Sequence, residues 1–259
     1  MTTTRVYIAI DDTDTIETDT AASRGTGAVA RDLAALLDRR GLGRSLGVTR
    51  HQLLVDPRIP YTSHNSAACL LIETNGAPVE ELAVAAAAFL SAEAAPGSDA
   101  GLCVAPEACV GPTITDFGRR AKREVLTAAA AHRLAEEAGL HLSGHTGERI
   151  GVIGALAAVG LRQSGNDGRF LDLNGLRALH GVQPVATLHG TGIRRFRSMT
   201  SPVTLRPTDT IDVGEKWPQP ILEHGEPTLI LERMALPKMA VPEVAVPWRV
   251  APRELMKQF

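Results

Sequence analysis

The sequence places three carboxylates at the end of its first apolar segment. Residues 6–10 (VYIAI) are typical of a buried strand, and Asp11, Asp12 and Asp14 follow it directly. In α/β proteins, ligands bind beyond the carboxyl ends of strands, and carboxylates clustered there are the oxygen ligands that magnesium prefers when it carries phosphates. The same residues also suit a capping turn, because Asp and Thr favour turns and helix starts. The pattern predicts either a magnesium and nucleotide site or an acidic turn.

A glycine-bearing loop and a helix come next in the chain. Gly25, Thr26 and Gly27 precede a segment with apolar residues every three to four positions, which ends near Gly41. Glycines allow close backbone approach, and the first turn of a helix offers unpaired N–H groups, so this loop is interpreted as a phosphate-binding element in which Thr26 offers its hydroxyl. A glycine turn before a core helix is the alternative. The sequence lacks the G-x-x-x-x-G-K-[ST] motif of P-loop proteins.

The other apolar segments predict alternating strands and helices up to about residue 180. Strands are predicted at 53–55, 67–73 and 102–105, and helices at 79–92 and 116–138. Further short strands are predicted at 185–189, 203–206, 210–213 and 228–232, between Gly, Pro and Asp turns. These patterns predict an α/β (α+β) protein.

The same patterns predict three parts along the chain. These are a catalytic α/β region over 1–184, a small mostly-β module over 185–233 and an extended Pro-rich tail over 234–259. Prolines at 237, 242, 247 and 252 alternate with Val, Met and Trp248, which is typical of an extended segment lying across a domain or a partner subunit. A disordered terminus is the alternative.

Composition narrows the choice of partners and compartment. The net charge of −2 and the pI near 6.5 give no global attraction for nucleic acid, so nucleic acid is not favoured, although a local basic patch stays open. No apolar stretch approaches the roughly 20 residues of a membrane helix and no signal peptide is evident, so we expect a cytoplasmic protein without a membrane partner. Cys69, Cys103 and Cys109 lack C-x-x-C spacing, which favours buried thiols over zinc ligands.

Two polar loops before predicted strands carry further candidate ligands. Asn65 lies in the loop over 59–66, where it is suited to fix a phosphate or a base edge. His64 beside it suits acid–base chemistry or a solvated loop. Asp99 lies in the small-residue loop over 96–101, either as a further metal or substrate ligand or as part of a plain turn.

A basic stripe and a glycine series complete the candidate residues. Arg119 and Arg123 are four positions apart on the predicted helix, so they share one face that suits a triphosphate, a nucleic-acid backbone or solvent. Gly151 and Gly154 open a small apolar helix, where they would let its amino terminus approach phosphates or pack tightly on a sheet.

Taken in order, these segments resemble one family, the archaeal agmatidine synthetases, which modify the anticodon cytidine of an isoleucine tRNA. The shared motifs are I-x-I-D-D-T-D at 8–14, G-T at 25–26, I-P-Y-T…N-S-A-A at 59–68, S-D-A-G at 98–101, F-x-R-R-A at 117–121, I-G-A-L-A-A-V-G at 153–160 and L-H-G-T-G-I at 188–193. The first and the sixth of these motifs are the most specific.

The resemblance implies a kinase-like domain with ferredoxin-like elements that uses ATP and Mg²⁺. It also implies activation of a carbonyl or hydroxyl oxygen by phosphate, followed by attack of an amine on the carbon that bears this oxygen, which leaves with the phosphate. The residues that it assigns are three metal ligands, a phospho-acceptor at or near the threonine, and two glycines beside the nucleotide: Asp11, Asp12, Asp14, Thr26, Gly151 and Gly154.

The family's carboxyl-terminal zinc ribbon, which helps to grip tRNA, has no counterpart here, because no cysteine follows Cys109. The sequence therefore predicts a shortened relative that acts on ATP and an unidentified acceptor other than tRNA. Two alternatives stay open, an RNA cytidine-modifying enzyme and a non-catalytic nucleotide-sensing subunit. The Ala-rich helices also leave a homodimer open, since they permit close packing within the chain as readily as between chains.

Overall fold

The structure, a computed structural model, describes residues 3–15, 24–60, 64–234 and 247–256. The chain forms two compact units, Met1–Ser164 and Gly165–Phe259. The division falls before the boundary at 184 that the sequence predicts. The physical reason is that Phe170 and Leu176 pack into the same apolar cluster as the strands that follow them.

The first unit alternates strands with helices. Its elements are β1 (Thr4–Asp11), α1 (Thr26–Arg39), β2 (Gly43–Gln52), β3 (Ser66–Thr74), α2 (Val79–Glu93), β4 (Gly101–Pro106), α3 (Pro112–Ala121), α4 (Ala128–Glu137), β5 (His141–Gly144) and α5 (Val152–Gln163).

The sheet of the first unit has the order β5-β4-β1-β3-β2, and its paired strands are antiparallel. The first six elements follow the order βαββαβ, and their strands lie in the order β4-β1-β3-β2, which is the ferredoxin-like arrangement. The predicted ferredoxin-like elements are therefore present. The register places Asp11 opposite Gly101 and Gln52 opposite Ser66. One edge of the sheet thus joins the carboxyl ends of β1 and β2 to the amino ends of β3 and β4.

Helices cover both faces of this sheet. Tyr7 and Ala9 belong to the same core cluster as residues of α3, α4 and α5. Ile8 and Ile10 are fully buried and point to the opposite face, because side chains alternate along a strand. The helices α1 and α2 pack on the sheet as well. Burial on both faces explains why the first strand reads as an uninterrupted apolar run.

Two predictions for the first unit are wrong. The strand predicted at 53–55 follows the real strand β2, and the long helix predicted at 116–138 is two helices, α3 and α4. The second helix begins anew because the side chain of Thr127 accepts a hydrogen bond from the N–H of Ala130 at 3.3 Å, as an N-cap does.

The second unit is built mainly from short strands. Its elements are β6 (Arg169–Asp172), β7 (Val182–Pro184), α6 (Val185–Gly190), β8 (Arg195–Arg197), β9 (Thr210–Asp212), β10 (Ile221–Glu223), β11 (Glu226–Arg233), β12 (Trp248–Val250) and α7 (Arg253–Met256). The strands lie in the order β6-β10-β11-β12-β9-β7, and β8 pairs with β11. The pairs β8–β11 and β9–β12 are parallel, so the sheet is mixed.

The sequence predictions for the second unit hold only in part. The segment 185–189 is helix α6 rather than a strand, because Pro184 precedes it in an extended conformation and Val185 and Leu188, three residues apart, are both buried. Residues 203–206 form no strand. The predicted tail lies outside the described residues over 235–246. Its described part is not an extended tail, because Trp248–Val250 pairs with β11 and β9 and is followed by α7.

The cysteine prediction is correct for two of the three thiols. Cys69 and Cys103 are buried, whereas Cys109 is exposed, and all three are free. Across the part of the chain that the structure describes, no helix is both long and apolar enough to cross a membrane.

Candidate functional site

The carboxylate of Asp11 lies against the amino-terminal turn of α5. A Cβ atom built on Gly154 would stand 1.7 Å from Oδ2 of Asp11, and one on Gly151 would stand 2.5 Å from the carbonyl oxygen of Asp99. The N–H of Gly151 donates to that same oxygen at 2.9 Å. The two glycines are therefore needed for the helix to approach the acidic edge of the sheet. The structure brings these predicted residues together with Asp11.

The chain turns sharply after Asp11. Asp12 has a φ of 54°, in the left-handed region that Asp and Asn tolerate better than most residues. Thr13 is buried, and its carbonyl oxygen accepts a hydrogen bond from the N–H of Ala95 at 2.9 Å. The acidic turn is thus anchored to the segment after α2.

The start of α1 is tied to the same turn. The hydroxyl of Thr13 donates to Oγ1 of Thr26 at 3.0 Å, and Thr26 is the first residue of α1. Gly25 is the N-cap and provides no side-chain cap, and a Cβ atom there would stand 3.4 Å from Oδ2 of Asp14. The first N–H groups of the helix thus lie beside the carboxylates. Gly27 lies inside the first turn of α1.

Asp99 joins the cluster from the loop before β4. Its Oδ1 accepts hydrogen bonds from the N–H of Glu148 and, at 3.2 Å, from the N–H of Arg149. Gly147 and Arg149 both have positive φ values, 51° and 62°, so the loop between β5 and α5 curls around this carboxylate. The charge of Asp99 raises the pKa of Asp12, so the Asp99 carboxylate lies near that of Asp12 while it also holds the loop.

The charge balance at this edge is strongly negative. Burial, together with the charges of Asp12 and Asp14, raises the pKa of Asp11 to about 8. A hydrogen bond from the N–H of Asp12 acts in the opposite direction and lowers this pKa. Burial, then the charges of Asp99 and Asp14, raises the pKa of Asp12 to about 6. A cation at this edge would relieve both effects, because it favours the ionised carboxylates. The donor chemistry therefore fits a hard cation such as Mg²⁺.

The carboxylates do not form a complete metal cage. Among the described residues, no three Asp, Glu, His or Cys side chains converge closely enough to hold a metal ion. Asp11, Asp12 and Asp14 thus form no preassembled three-carboxylate ligand set. Magnesium is usually held by one or two carboxylates together with substrate phosphates and water, and such a site needs no cage.

The remaining predicted ligands are Asn65, Arg119 and Arg123. Nδ2 of Asn65 donates to the carbonyl oxygen of Leu54 at 2.6 Å, so its side chain joins two loops. The N–H of Leu54 donates to Ala121, the last residue of α3. Arg119 lies in the last turn of α3 and Arg123 lies beyond its end, so the predicted common helix face is wrong. Both arginines are exposed.

The fold and the edge define a class of protein, a mixed α/β protein whose antiparallel ferredoxin-like sheet presents clustered carboxylates against two helix amino termini. No family model and no curated protein matches the sequence.

Solved structures do match the chain. TiaS in complex with an isoleucine tRNA, AMPCPP and agmatine is 27% identical with a TM-score of 0.50, and the match covers 61% of this chain and 36% of that one. TiaS in complex with the tRNA and ATP is 27% identical with a TM-score of 0.51, and the match covers 61% of this chain and 36% of that one. A tRNA fluorescent labeling enzyme is 28% identical with a TM-score of 0.51, and the match covers 60% of this chain and 36% of that one. The chain thus spans little more than a third of these relatives. The chain is similar to TiaS over about 60% of its length, so the resemblance found in the sequence is confirmed.

Proposed function

We propose that this chain is an ATP-using enzyme in which the carboxylates at the end of β1 hold Mg²⁺ with the phosphates of ATP. The observation that carries the proposal is the contact between Asp11 and Gly154, which presses a carboxylate with a raised pKa against the start of α5. The similarity to TiaS structures that contain ATP or AMPCPP supports ATP as the nucleotide.

The chain's own residues have separate tasks in this proposal. Asp11 and Asp12 would hold the metal, since burial and the charges of neighbouring carboxylates raise the pKa of both carboxyls in the absence of a cation. Asp14 would complete the shell directly or through water. Mg²⁺ and ATP together supply an electrophilic phosphoryl group whose negative charge is partly neutralised. The N–H groups at the starts of α1 and α5, beside Gly25 and Gly151, would orient phosphate oxygens.

Thr26 is the proposed phospho-acceptor. It is the first residue of α1, and its Oγ1 accepts the hydrogen bond from Thr13, which fixes the hydroxyl at the carboxylate cluster. A covalent relay through this hydroxyl is a kinase-like step. Transfer from ATP directly to the final acceptor would make Thr26 a positioning residue instead.

The acceptor class is proposed as a carbonyl oxygen of an RNA base. Three matched structures with a TM-score of at least 0.5 are of proteins described together with tRNA, which supports RNA over the non-RNA acceptor that the sequence favoured. The chain spans only 36% of those proteins, so its RNA contacts would differ from theirs. An amine as the second substrate is proposed from the agmatine in one of them.

The test measures release of phosphate from γ-labelled ATP by purified protein, with Mg²⁺ or EDTA and with or without total tRNA. We expect Mg²⁺-dependent turnover that tRNA stimulates. In Asp12→Asn it should fall at least about a hundredfold, since even indirect partners of a metal cost 10–100-fold. The matched control is Asp38→Asn, which removes an exposed carboxylate on α1 and should keep wild-type turnover. Equal turnover in Asp12→Asn and wild type would refute the metal assignment, and turnover that ignores tRNA would refute the RNA acceptor.

A further inference from the structure

Trp217 in the second unit is contacted by two guanidinium groups from distant parts of the chain. The guanidinium carbon of Arg177 lies 4.5 Å from the centroid of the indole ring, and that of Arg253 lies 5.1 Å from it. Nη2 of Arg253 also donates to the carbonyl oxygen of Trp217 at 2.9 Å. Cation–π contacts of this length hold the planes of both guanidiniums in place. The indole is therefore a platform that positions two positive charges.

A third arginine strengthens the charge at this platform. Burial lowers the pKa of Arg169, and the charge of Arg253 lowers it further. Burial, then the charge of Arg177, lowers the pKa of Arg253, while Glu254 acts in the opposite direction. Each of these charge effects requires the two groups to lie near each other. Arg177 and Arg253 contact Trp217, and Arg169 lies close to Arg253; these three arginines are called the basic cluster.

The basic cluster differs from other arginines of the same unit. Arg197 pairs with Glu223 at 2.9 Å, and Arg206 pairs with Asp209 at 2.9 Å. In the described parts of the chain, no guanidinium of the basic cluster forms an ion pair with a carboxylate. Gathering like charges without an ion-paired carboxylate costs free energy, which a bound anion would offset.

We propose that the basic cluster, centred on the contacts of Arg177 and Arg253 with Trp217, binds the phosphate group of a phosphorylated ligand. Guanidinium groups match phosphate oxygens with paired N–H donors, and each guanidinium has five such donors, of which Arg177 and Arg253 each use one in a hydrogen bond to a backbone carbonyl oxygen. The phosphate belongs either to an RNA backbone or to a small free anion. The proposal does not depend on the carboxylate cluster, because the two sites lie in different units.

The test uses the full chain and two probes, inorganic phosphate and a fluorescein-labelled ten-nucleotide oligouridylate. Phosphate binding is followed by the fluorescence of Trp217 in a Trp248→Phe background, since the chain has two tryptophans. RNA binding is followed by fluorescence anisotropy between 50 and about 200 mM salt. We expect saturable binding of at least one probe. Binding of the RNA alone would identify the backbone as the source of the phosphate, and a fluorescence change with phosphate alone would identify a small anion.

Two variants distinguish binding at this site from nonspecific attraction of an anion to exposed arginines. Arg177 is exposed and makes a long hydrogen bond to Leu171, so Arg177→Gln should fold normally. It should weaken binding about fivefold and reduce the dependence of log affinity on log salt by about 0.7 for single-stranded RNA. Arg206→Gln, which removes an exposed and paired arginine, is the matched control and should bind as wild type does. The proposal fails if neither probe binds, or if Arg177→Gln and Arg206→Gln bind equally.

Discussion

The raised pKa of Asp12 predicts that Asp12→Asn is more stable than the wild type when no metal is bound. The pKa rises from an ordinary value of 3.8 to about 6. Each pH unit of such a difference corresponds to about 1.4 kcal/mol, so the ionised carboxylate costs about 3 kcal/mol. Asp12 is partly exposed, so solvent screening reduces the expected gain to about 1–2 kcal/mol. Asn also tolerates the left-handed backbone of this position, so the substitution adds no strain.

The sign of the pH dependence follows from the direction of the shift. A carboxyl with a raised pKa in the folded state binds its proton more tightly there than in the unfolded chain, so the wild type loses stability as pH rises from 3.8 to about 6. The variant lacks this loss. The stability difference should be near zero below pH 4, grow through pH 5 and level off above 6. The stability difference between the variant and the wild type should rise slightly further towards pH 8, because the charge of Asp12 also raises the pKa of Asp11.

The assay is differential scanning calorimetry from pH 4 to 8 in EDTA. With about 2–4 °C per kcal/mol for a chain of this size, the Tm of one transition should rise by roughly 2–8 °C above pH 6. Asp38→Asn is the matched control and should show no such pH-dependent difference. Added Mg²⁺ should then raise the Tm of the wild type more than that of Asp12→Asn. A variant that is no more stable than the wild type at pH 7 would refute this reasoning about the buried charge.

Three other predictions follow from single contacts. Gly154→Ala should lower the free energy of unfolding in urea by about 1–3 kcal/mol and abolish Mg²⁺-induced stabilisation, because the new methyl group would overlap the carboxylate of Asp11; unchanged stability would contradict the close contact. Thr26→Val should cost about 1 kcal/mol by removing the hydrogen bond from Thr13, and it should abolish protein labelling by γ-labelled ATP; persistent labelling would exclude Thr26 as the acceptor. Cys109 should react alone with a thiol reagent in the native protein, since the other two cysteines are buried, and rapid reaction of more than one thiol would contradict their burial.

Much of the first unit could be predicted because its elements carry strong periodic patterns. The central strand β1 is apolar at every position from Val6 to Ile10, since helices bury both of its faces. The helices α1 and α5 show glycine-bearing starts followed by apolar repeats. The clustering of carboxylates at the end of β1 was also visible, because the three are close in sequence.

The strand β2 was missed because Val48 is its only buried apolar side chain, whereas two other buried side chains are polar. Thr49 and His51 are fully buried, and they satisfy each other through a 2.8 Å hydrogen bond between Oγ1 and Nε2. Thr49 also donates to the carbonyl oxygen of Cys69 on the neighbouring strand at 3.2 Å. A register shift between Ser45 and Val48 interrupts the alternation as well. Hydropathy cannot reveal such a strand, because its polar groups become tolerable only after the partner strand is in place.

The role of Asp99 also depends on tertiary structure. In the sequence it is one acidic residue in a small-residue loop, as consistent with a turn as with a ligand. The pairing of Asp11 with Gly101 brings that loop to the end of β1, and the charge of Asp99 then raises the pKa of Asp12. The usable signal was the position of Asp99 just before a strand that pairs antiparallel with β1.

Several features that usually destabilise a protein occur together at this one edge of the sheet. Among the described non-glycine residues, three have a positive φ, and two of them, Asp12 and Arg149, lie here. Asp11 is an acid whose pKa is raised to about 8 by burial, and Gly154 leaves no space for any side chain beside it. Each feature reduces stability on its own, and buried charge and backbone strain persist where function requires them. Packing alone would favour an apolar residue at Asp11, because removing its charge would relieve the cost of burial. The coincidence of backbone strain, a buried acid and a close glycine contact at the carboxylates is therefore the strongest structural argument for the proposed cation site.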